Sequence, residues 1–259
     1  MNALLKEGRL HGSAVNVNGK TVAENYDQTS TRDTDVIRNY GEPLMEKAGF
    51  VILQGNLCDA AVMKTSVISE GFRKQYLSRP GQENVFEVRA IIFEGPEDYH
   101  ARINDPSLEI DVNCILVIRG CGPVGYPGSA EVVNMQPPDA LIRKGILELP
   151  TLGDGRQSGT SGSPSILNVS PESAVGGGLA LLKTGDMIRI DLNRGSLDVL
   201  LDEAQLKERR ELLQDQKIEH QTPWQEIYRE TVGQLSEGGI IELAAKYRKI
   251  RNTIPRHSH

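Results

Sequence analysis

A loop rich in glycine and hydroxyl side chains, residues 153–165, is the densest cluster of groups that could take part in chemistry. Its sequence, GDGRQSGTSGSPS, holds four glycines and five serine or threonine residues. Such a loop can present hydroxyls and backbone N–H groups to an anion, because glycine leaves the backbone accessible. The composition alone leaves a second interpretation open, in which the stretch is a flexible turn without a ligand.

The three cysteines are a second set of candidate ligands, since thiolates bind iron and zinc. Cys58, Cys114 and Cys121 form no C-x-x-C pair, and Cys114 lies inside the apolar run CILVIRG. We therefore expect buried thiols rather than a metal site. Three cysteines are also too few for a disulfide framework, and the first residues show no signal-peptide pattern, which favours the cytosol.

Composition narrows the class of partner. Of the 259 residues, 38% are hydrophobic and 25% are charged, as in an ordinary globular protein. No apolar run is long enough to cross a bilayer, so we expect no membrane association through a span. The net charge of −6, with no block of Lys or Arg, argues against nucleic-acid binding and favours a small-molecule ligand.

Short apolar runs rich in β-branched residues surround these candidate sites and predict strands. Several of the runs are bounded by glycine or asparagine, which commonly end a strand. The predicted strands are residues 50–53, 60–64, 88–93, 114–118, 187–192 and 197–201.

Helical patterns lie between and after the strands. Residues 139–144 follow two prolines, and Asp139 is expected to cap that helix. Residues 202–216 and 224–235 carry apolar side chains at helical spacing, with Lys, Arg and Glu between them. The chain is therefore predicted to be a mixed α/β protein with a helical tail.

Three regions follow from this pattern. Residues 28–201 are predicted to form the strand-rich domain and residues 202–259 the helical tail. Residues 1–27 are interpreted as an arm that continues from a domain upstream, with a turn at Asn18 and Gly19.

The run from residue 153 to residue 192, GDGRQSGTSGSPSILNVSPESAVGGGLALLKTGDMIRIDL, resembles the signature of the dihydroxy-acid and 6-phosphogluconate dehydratase family. Four upstream stretches resemble the carboxy-terminal domain of that family in the same order: GNLCDAAVMKTS, AIIFEGPEDYHARI, ILVIRGCGPVGYPGSAEVVNMQPP and LIRKGI. The resemblance covers nearly the whole chain, and its nearest branch is the sugar-acid branch with the xylonate dehydratases. Members of the family also have a larger amino-terminal domain, which these residues do not match.

The resemblance implies both a fold and a reaction. The fold is a mixed β-barrel-like, swivelling β/β/α domain with flanking helices. The reaction converts a sugar acid such as xylonate to its 2-keto-3-deoxy acid with loss of water. In the family, three cysteines of the amino-terminal domain hold a [2Fe-2S] cluster that acts on the C3 hydroxyl. A Mg²⁺ ion binds the carboxylate and the C2 hydroxyl, and a serine removes the C2 proton.

The resemblance also implies roles for residues of the hydroxyl-rich loop. Matching the family's motif assigns the serine base to Ser158, with Ser161 and Ser163 as rivals in the same loop. Thr160 and Ser161 are expected to bind substrate. The alternative is that these hydroxyls only cap turns or a following helix.

Two residues outside the loop complete the implied site. Glu131, in GYPGSAEVVNM, matches the carboxylate that the carboxy-terminal domain supplies to Mg²⁺, an ion that prefers oxygen ligands. His259 would reach the sugar acid from the end of the chain, and a frayed tail is the alternative.

The implied partners are the sugar acid, the missing amino-terminal cluster domain and further copies of the same protein in a homo-oligomer. Because the cluster ligands would lie outside this chain, we expect the chain alone to be inactive. The alternative function is a non-catalytic remnant or an assembly subunit that lacks the cluster domain.

Overall fold

A computed structural model of the chain describes residues 1–30, 32–44, 46, 48–156, 164–213 and 219–247. The chain forms two compact units, Met1–Ala48 and Gly49–His259. The boundaries predicted at residues 27 and 201 concern the organisation of a longer protein and stay predictions.

The first unit contains two short helices, α1 (Asn2–Lys6) and α2 (Val22–Tyr26). The turn predicted between them is present, with Gly19 at a φ of 78°. Thr21 then begins α2, because its side chain accepts a hydrogen bond from the Glu24 N–H while the Glu24 carboxylate accepts one from the Thr21 N–H.

The described part of the second unit contains eight strands. They are β1 (Phe50–Gly55), β2 (Cys58–Lys64), β3 (Val85–Glu94), β4 (Cys114–Arg119), β5 (Thr151–Gly153), β6 (Ile166–Ser170), β7 (Met187–Asp191) and β8 (Ser196–Val199). All six predicted strands are among them.

These strands form a closed barrel in the order β1-β2-β6-β5-β4-β3-β7-β8. The pairs β3/β4, β4/β5, β5/β6 and β1/β8 are parallel, and the other neighbours are antiparallel. Closure leaves no open edge that could pair with another chain. The predicted mixed α/β barrel is therefore confirmed.

Short helices flank the barrel. The α-helices of this unit are α3 (Glu70–Phe72), α4 (Gly95–Arg102), α5 (Asp139–Ile142), α6 (Glu203–Glu211), α7 (Pro223–Thr231) and α8 (Glu242–Ala245). Other helical turns are Thr65–Val67, Arg73–Leu77, Pro106–Leu108, Ser173–Val175, Gly178–Leu181 and Leu235–Glu237. Among the helices of the described ranges, none has the length and apolarity needed to cross a bilayer.

The helix at residue 139 begins differently from the prediction. Pro138 is the N-cap residue of α5, and Asp139 is its first helical residue. The backbone N–H of Asp139 donates to Asn104 Oδ1 instead of being satisfied by a local cap. The prediction that Asp139 caps this helix was therefore wrong, because the Asn104 side chain, from another segment, accepts the hydrogen bond at the start of the helix.

Two apolar clusters stabilise the barrel. The interior cluster takes residues from every strand, among them Leu53, Met63, Val88, Ile115, Leu152, Ile166, Ile188 and Leu197. The outer cluster covers the other face of β3 and β4 and includes Ile91, Phe93, Leu116, Ile118, Cys121, Val133 and Leu141. β4 is thus buried on both faces, which explains its continuous apolar sequence.

Candidate functional site

The hydroxyl-rich loop starts at one end of the barrel, where three parallel strands end together. β4, β5 and β6 are neighbours, with Ile118 of β4 paired to Gly153 of β5. Because the carboxyl ends of parallel strands meet at the same edge, the segments after these strands emerge side by side. This edge is where ligands commonly bind to parallel α/β sheets.

Asp154 connects these segments to one another through hydrogen bonds. Its side chain is fully buried and accepts hydrogen bonds from the N–H groups of Gly120 (3.1 Å), Cys121 (2.9 Å) and Ser173 (2.9 Å). The Ser173 hydroxyl donates to the same carboxylate at 2.6 Å. One carboxylate therefore connects the segments that follow β4, β5 and β6.

Glu172 is the second fully buried carboxylate at this edge. It accepts hydrogen bonds from the N–H groups of Val124 (2.9 Å) and Gly125 (2.8 Å) and from Gln234 Nε2 (3.0 Å). Burial raises the pKa of Glu172, and these hydrogen bonds lower it only in part. A Cβ on Gly122 would lie 2.5 Å from Glu172 Oε2, so glycine is required there. We call Asp154, Glu172, Ser173 and the backbone amides that they bind the polar layer.

The segment that carries Glu131 lies directly beside the start of the hydroxyl-rich loop. Arg156 donates its N–H to the Ala130 carbonyl at 3.0 Å, and Glu131 and Arg156 form a parallel β-bridge. A Cβ on Gly155 would lie 2.8 Å from the Ala130 oxygen, so this close approach also depends on glycine. Glu131 is thereby held next to Arg156, two residues before Ser158 in the sequence.

Glu131 and Arg156 form an ion pair at the surface. Arg156 Nη1 lies 2.7 Å from Glu131 Oε1, and the two side chains are 53% and 42% exposed. Arg156 Nε also donates to the Ser129 carbonyl at 2.9 Å. An ion pair this exposed contributes at most about 1 kcal/mol, so the Glu131 carboxylate is accessible to a competing cation.

The structure describes only part of the predicted site. Ser158, Thr160, Ser161 and His259 lie outside the described residues, as does Ser163. Of the predicted residues, the structure therefore locates Glu131 alone. The roles of the residues outside the described part of the chain stay predictions.

The residues present fit a metal ion only in part. Glu131 can supply one oxygen ligand of the kind that Mg²⁺ prefers. Within the described ranges, there is no group of three or more His, Cys, Asp or Glu side chains that could hold a metal ion. Glu131 could therefore contribute to a site, but the other ligands would have to come from elsewhere.

The cysteines are poorly suited to hold an iron-sulfur cluster. Cys58, Cys114 and Cys121 are buried free thiols. Burial raises the pKa of all three, in the case of Cys58 to about 12, because desolvation disfavours the thiolate. Iron-sulfur clusters require thiolate ligands. The three side chains belong to the apolar clusters of the barrel.

Sequence reasoning missed the two buried carboxylates of the polar layer. An isolated Asp or Glu in a sequence is usually exposed, so neither Asp154 nor Glu172 stood out. The sequence does contain a signal for Asp154. It stands between Gly153 and Gly155, and an earlier segment, GCGPVGYPG, is also rich in glycine. Glycine-rich backbone offers amides, and a buried carboxylate between such segments can bind them.

Known proteins are similar to this chain over most of its length. The family model described as dihydroxy-acid/6-phosphogluconate dehydratase C-terminal matches residues 35–239. D-xylonate dehydratase of Caulobacter vibrioides is 62% identical over 256 residues, which cover 99% of this chain and 43% of that relative. L-arabinonate dehydratase of Rhizobium leguminosarum is 40% identical over 210 residues, which cover 81% of this chain and 34% of that relative.

A more distant relative is named for a different substrate. Dihydroxy-acid dehydratase of Desulfitobacterium hafniense is 37% identical over 213 residues, covering 82% of this chain and 35% of that relative. The chain thus spans less than half the length of each of these relatives. The family model and the extent of identity show that this chain belongs to the dihydroxy-acid/6-phosphogluconate dehydratase family, as its C-terminal domain.

Proposed function

We propose that the protein to which this chain belongs is a hydro-lyase that converts a sugar acid such as xylonate to its 2-keto-3-deoxy acid. The observation that carries the proposal is the 62% identity to D-xylonate dehydratase over almost the whole chain. The identity to L-arabinonate dehydratase, 40%, is lower, which favours a xylonate-like substrate over an arabinonate-like one.

The chemistry explains why a carboxylate and a hydroxyl should stand at this edge of the barrel. A proton on the carbon beside a carboxylate is weakly acidic until positive charge stabilises the enolate that forms. When bound, Mg²⁺ supplies such charge, and Glu131 is the residue of this chain proposed as one of its ligands. Its site would be shared with residues outside this chain.

Ser158 is the proposed base that accepts the C2 proton. A serine hydroxyl is a poor base at neutral pH, so it requires nearby positive charge. The proposed source of that charge is the Mg²⁺ ion, because the charge of Arg156, two residues before Ser158, is offset by its ion pair with Glu131. Thr160, Ser161 and His259 are proposed to bind the hydroxyl and carboxylate groups of the substrate.

The [2Fe-2S] cluster of the complete enzyme is proposed to be held outside this chain. The buried, protonated cysteines support that part of the proposal, because they offer no accessible thiolates. Assembly as a homo-oligomer in the cytoplasm is likewise proposed from the family resemblance.

The experiment is a comparison of Ser158→Ala with Ser161→Ala in the full-length protein that carries this chain, reconstituted with iron, sulfide and Mg²⁺. Ser158→Ala should lower the single-turnover rate on xylonate by roughly 10²- to 10⁴-fold or more, because a general base acts in the transition state. Substrate binding, measured by protection from proteolysis, should persist. Ser161→Ala should reduce turnover much less.

Two outcomes would change this proposal in different ways. Loss of turnover in Ser161→Ala but not in Ser158→Ala would move the base within the loop. Failure of the reconstituted protein to dehydrate xylonate or related sugar acids would overturn the proposed activity and favour a non-catalytic assembly role.

A further inference from the structure

Val124 and Gly125, in the glycine-rich segment after β4, have their backbone groups held by two charged side chains. Glu172 accepts hydrogen bonds from both N–H groups, at 2.9 and 2.8 Å. Arg229 of α7 donates from Nε to the Val124 carbonyl at 2.8 Å and from Nη2 to the Gly125 carbonyl at 3.4 Å. A carboxylate and a guanidinium therefore bind the same two residues through their amides and their carbonyls.

The segment that follows α7 also holds Glu172 itself. Gln234 donates from Nε2 to Glu172 Oε1 at 3.0 Å, and the Glu172 N–H donates to Gln234 Oε1 at 2.8 Å. Both sets of contacts to Val124 and Gly125 thus depend on residues 229–234, about a hundred positions later in the chain.

Hydrogen bonds to the backbone fix the part of this segment that has few apolar contacts. Residues 120–128 contain four glycines, so few side chains can pack against neighbouring apolar groups. At Gly125 a Cβ would lie 2.6 Å from the Gly120 oxygen, so the segment folds tightly on itself. Hydrogen bonds with one ionised partner are roughly twice as strong as those between neutral groups, which suits them to this task.

The fixed segment leads directly to Glu131. After Gly125, the Ser129 N–H donates to the Tyr126 carbonyl at 2.8 Å, and Arg156 then binds the carbonyls of Ser129 and Ala130. The stretch between Gly125 and Glu131 is therefore held at one end by Glu172 and Arg229 and at the other by Arg156.

We propose that Arg229 and Glu172 are positioning residues that set the location of the Glu131 carboxylate. The role of Glu131 as a metal ligand rests on the proposed function, whereas the positioning of its segment rests on the contacts above. Side chains that hydrogen-bond a metal ligand directly typically change metal affinity about 10- to 100-fold when they are removed. Arg229 and Glu172 act from six residues away, so we expect the lower end of that range.

The test compares Arg229→Ala with Arg209→Ala in the full-length protein that carries this chain. Arg209 is a matched control, because it also binds a backbone carbonyl, that of Leu181 at 2.9 Å, and pairs with Asp186, but it does not bind the segment 120–131. Arg229→Lys is the second variant, since it keeps the charge but cannot bind both carbonyls in the same way.

The first measurement is hydrogen–deuterium exchange of peptides that span residues 120–131, followed by mass spectrometry. Arg229→Ala should accelerate exchange there by about tenfold or more, Arg229→Lys should have a smaller effect, and Arg209→Ala should leave this region unchanged. Unchanged exchange in both Arg229 variants would overturn the proposal.

The second measurement is the Mg²⁺ concentration that gives half-maximal turnover on xylonate. Arg229→Ala should raise it by about tenfold, and Arg209→Ala should not. Glu131→Gln is measured in the same assay. If Glu131→Gln leaves the Mg²⁺ dependence unchanged, the metal-ligand role in the proposed function is wrong. If Glu131→Gln raises it while Arg229→Ala does not, the positioning of Glu131 by Arg229 is wrong.

Discussion

The interior cluster of the barrel and the polar layer at the end of β4, β5 and β6 are equally buried but are stabilised differently. Ile115 and Leu152 in the interior cluster are fully buried among apolar side chains from every strand. Asp154 and Glu172 in the polar layer are also fully buried, yet their neighbours are mainly backbone amides. Burial alone therefore does not distinguish the two regions, but their hydrogen bonding does.

The difference shows how the fold combines an apolar scaffold with a glycine-rich segment that leads to the exposed Glu131. Apolar packing is non-directional, whereas hydrogen bonds that backbone N–H groups donate to a buried carboxylate specify the position of each amide. The glycine-rich segment has few side chains for apolar packing, so the polar layer fixes its backbone at residues 120–125. The two regions should consequently respond differently to substitution.

Ile115→Ala should give the largest effect and should act on the whole barrel. Removing most of a fully buried side chain from the interior cluster costs about 2–5 kcal/mol, from lost apolar burial and from the cavity left behind. Urea unfolding of the chain would measure this loss. Hydrogen exchange should accelerate in all strands together, and a change confined to β4 would contradict a single cooperative interior.

Asp154→Ala should destabilise less and should act mainly on the polar layer. The N–H groups of Cys121 and Ser173 would lose their acceptor, at about 1–3 kcal/mol in total once the segment opens to water. Asp154→Asn, which keeps one acceptor oxygen, is the matched variant and should lose less. Hydrogen exchange should rise around residues 120–125 and remain slow in β3 and β7. If hydrogen exchange accelerated equally in the polar layer and in the strands, the two regions would not be stabilised independently.

The pH dependence of stability should differ between wild type and Glu172→Gln. Burial, the largest cause, raises the pKa of Glu172 above its ordinary value of 4.5. The N–H groups of Gly125 and Val124 and the Gln234 side chain lower it in part, and Asp154 raises it further. The folded chain therefore binds this proton more tightly than the unfolded chain, and that contribution to stability is lost as the pH rises through the raised pKa.

Unfolding free energies of both proteins between pH 4.5 and neutral pH would check this expectation. The wild-type protein should lose stability relative to Glu172→Gln as the pH increases. Parallel pH profiles would show that the hydrogen bonds to the carboxylate fully offset its burial.

The smallest effect is expected in thiol labelling. In the wild-type protein the labelling of Cys58 and Cys121 should be slow, and in a variant of the polar layer the two rates should differ. Burial holds the pKa of Cys58 at about 12 and also raises that of Cys121, so few reactive thiolates form at pH 8. In Asp154→Ala, Cys121 should react faster while Cys58, in the interior cluster, should not. Mass spectrometry of the labelled peptides would measure both rates, and acceleration of Cys58 alone would reverse the assignment.

The strands could be predicted because their signals are local. β-branched apolar runs at residues 88–93 and 114–118 predicted β3 and β4, with ends within a few residues of those observed. β5 and β6 were not predicted as strands, because β5 has only three residues and Asn168 interrupts the short apolar run of β6. The order of strands around the barrel was not predictable, since pairing joins residues distant in the chain, as between Gln54 and Ser196.

By itself, the sequence determined the mixed α/β character, because strand and helix patterns depend on residue types at local spacing. Its resemblance to known sequences determined the family. Only the tertiary structure decided that Glu131 lies beside Arg156 and that Asp154, Glu172 and Arg229 hold the segments around it. These contacts join positions up to about a hundred residues apart. A charged side chain becomes a buried hydrogen-bonding partner only where folding brings unpaired backbone groups to it, and no local pattern records that convergence.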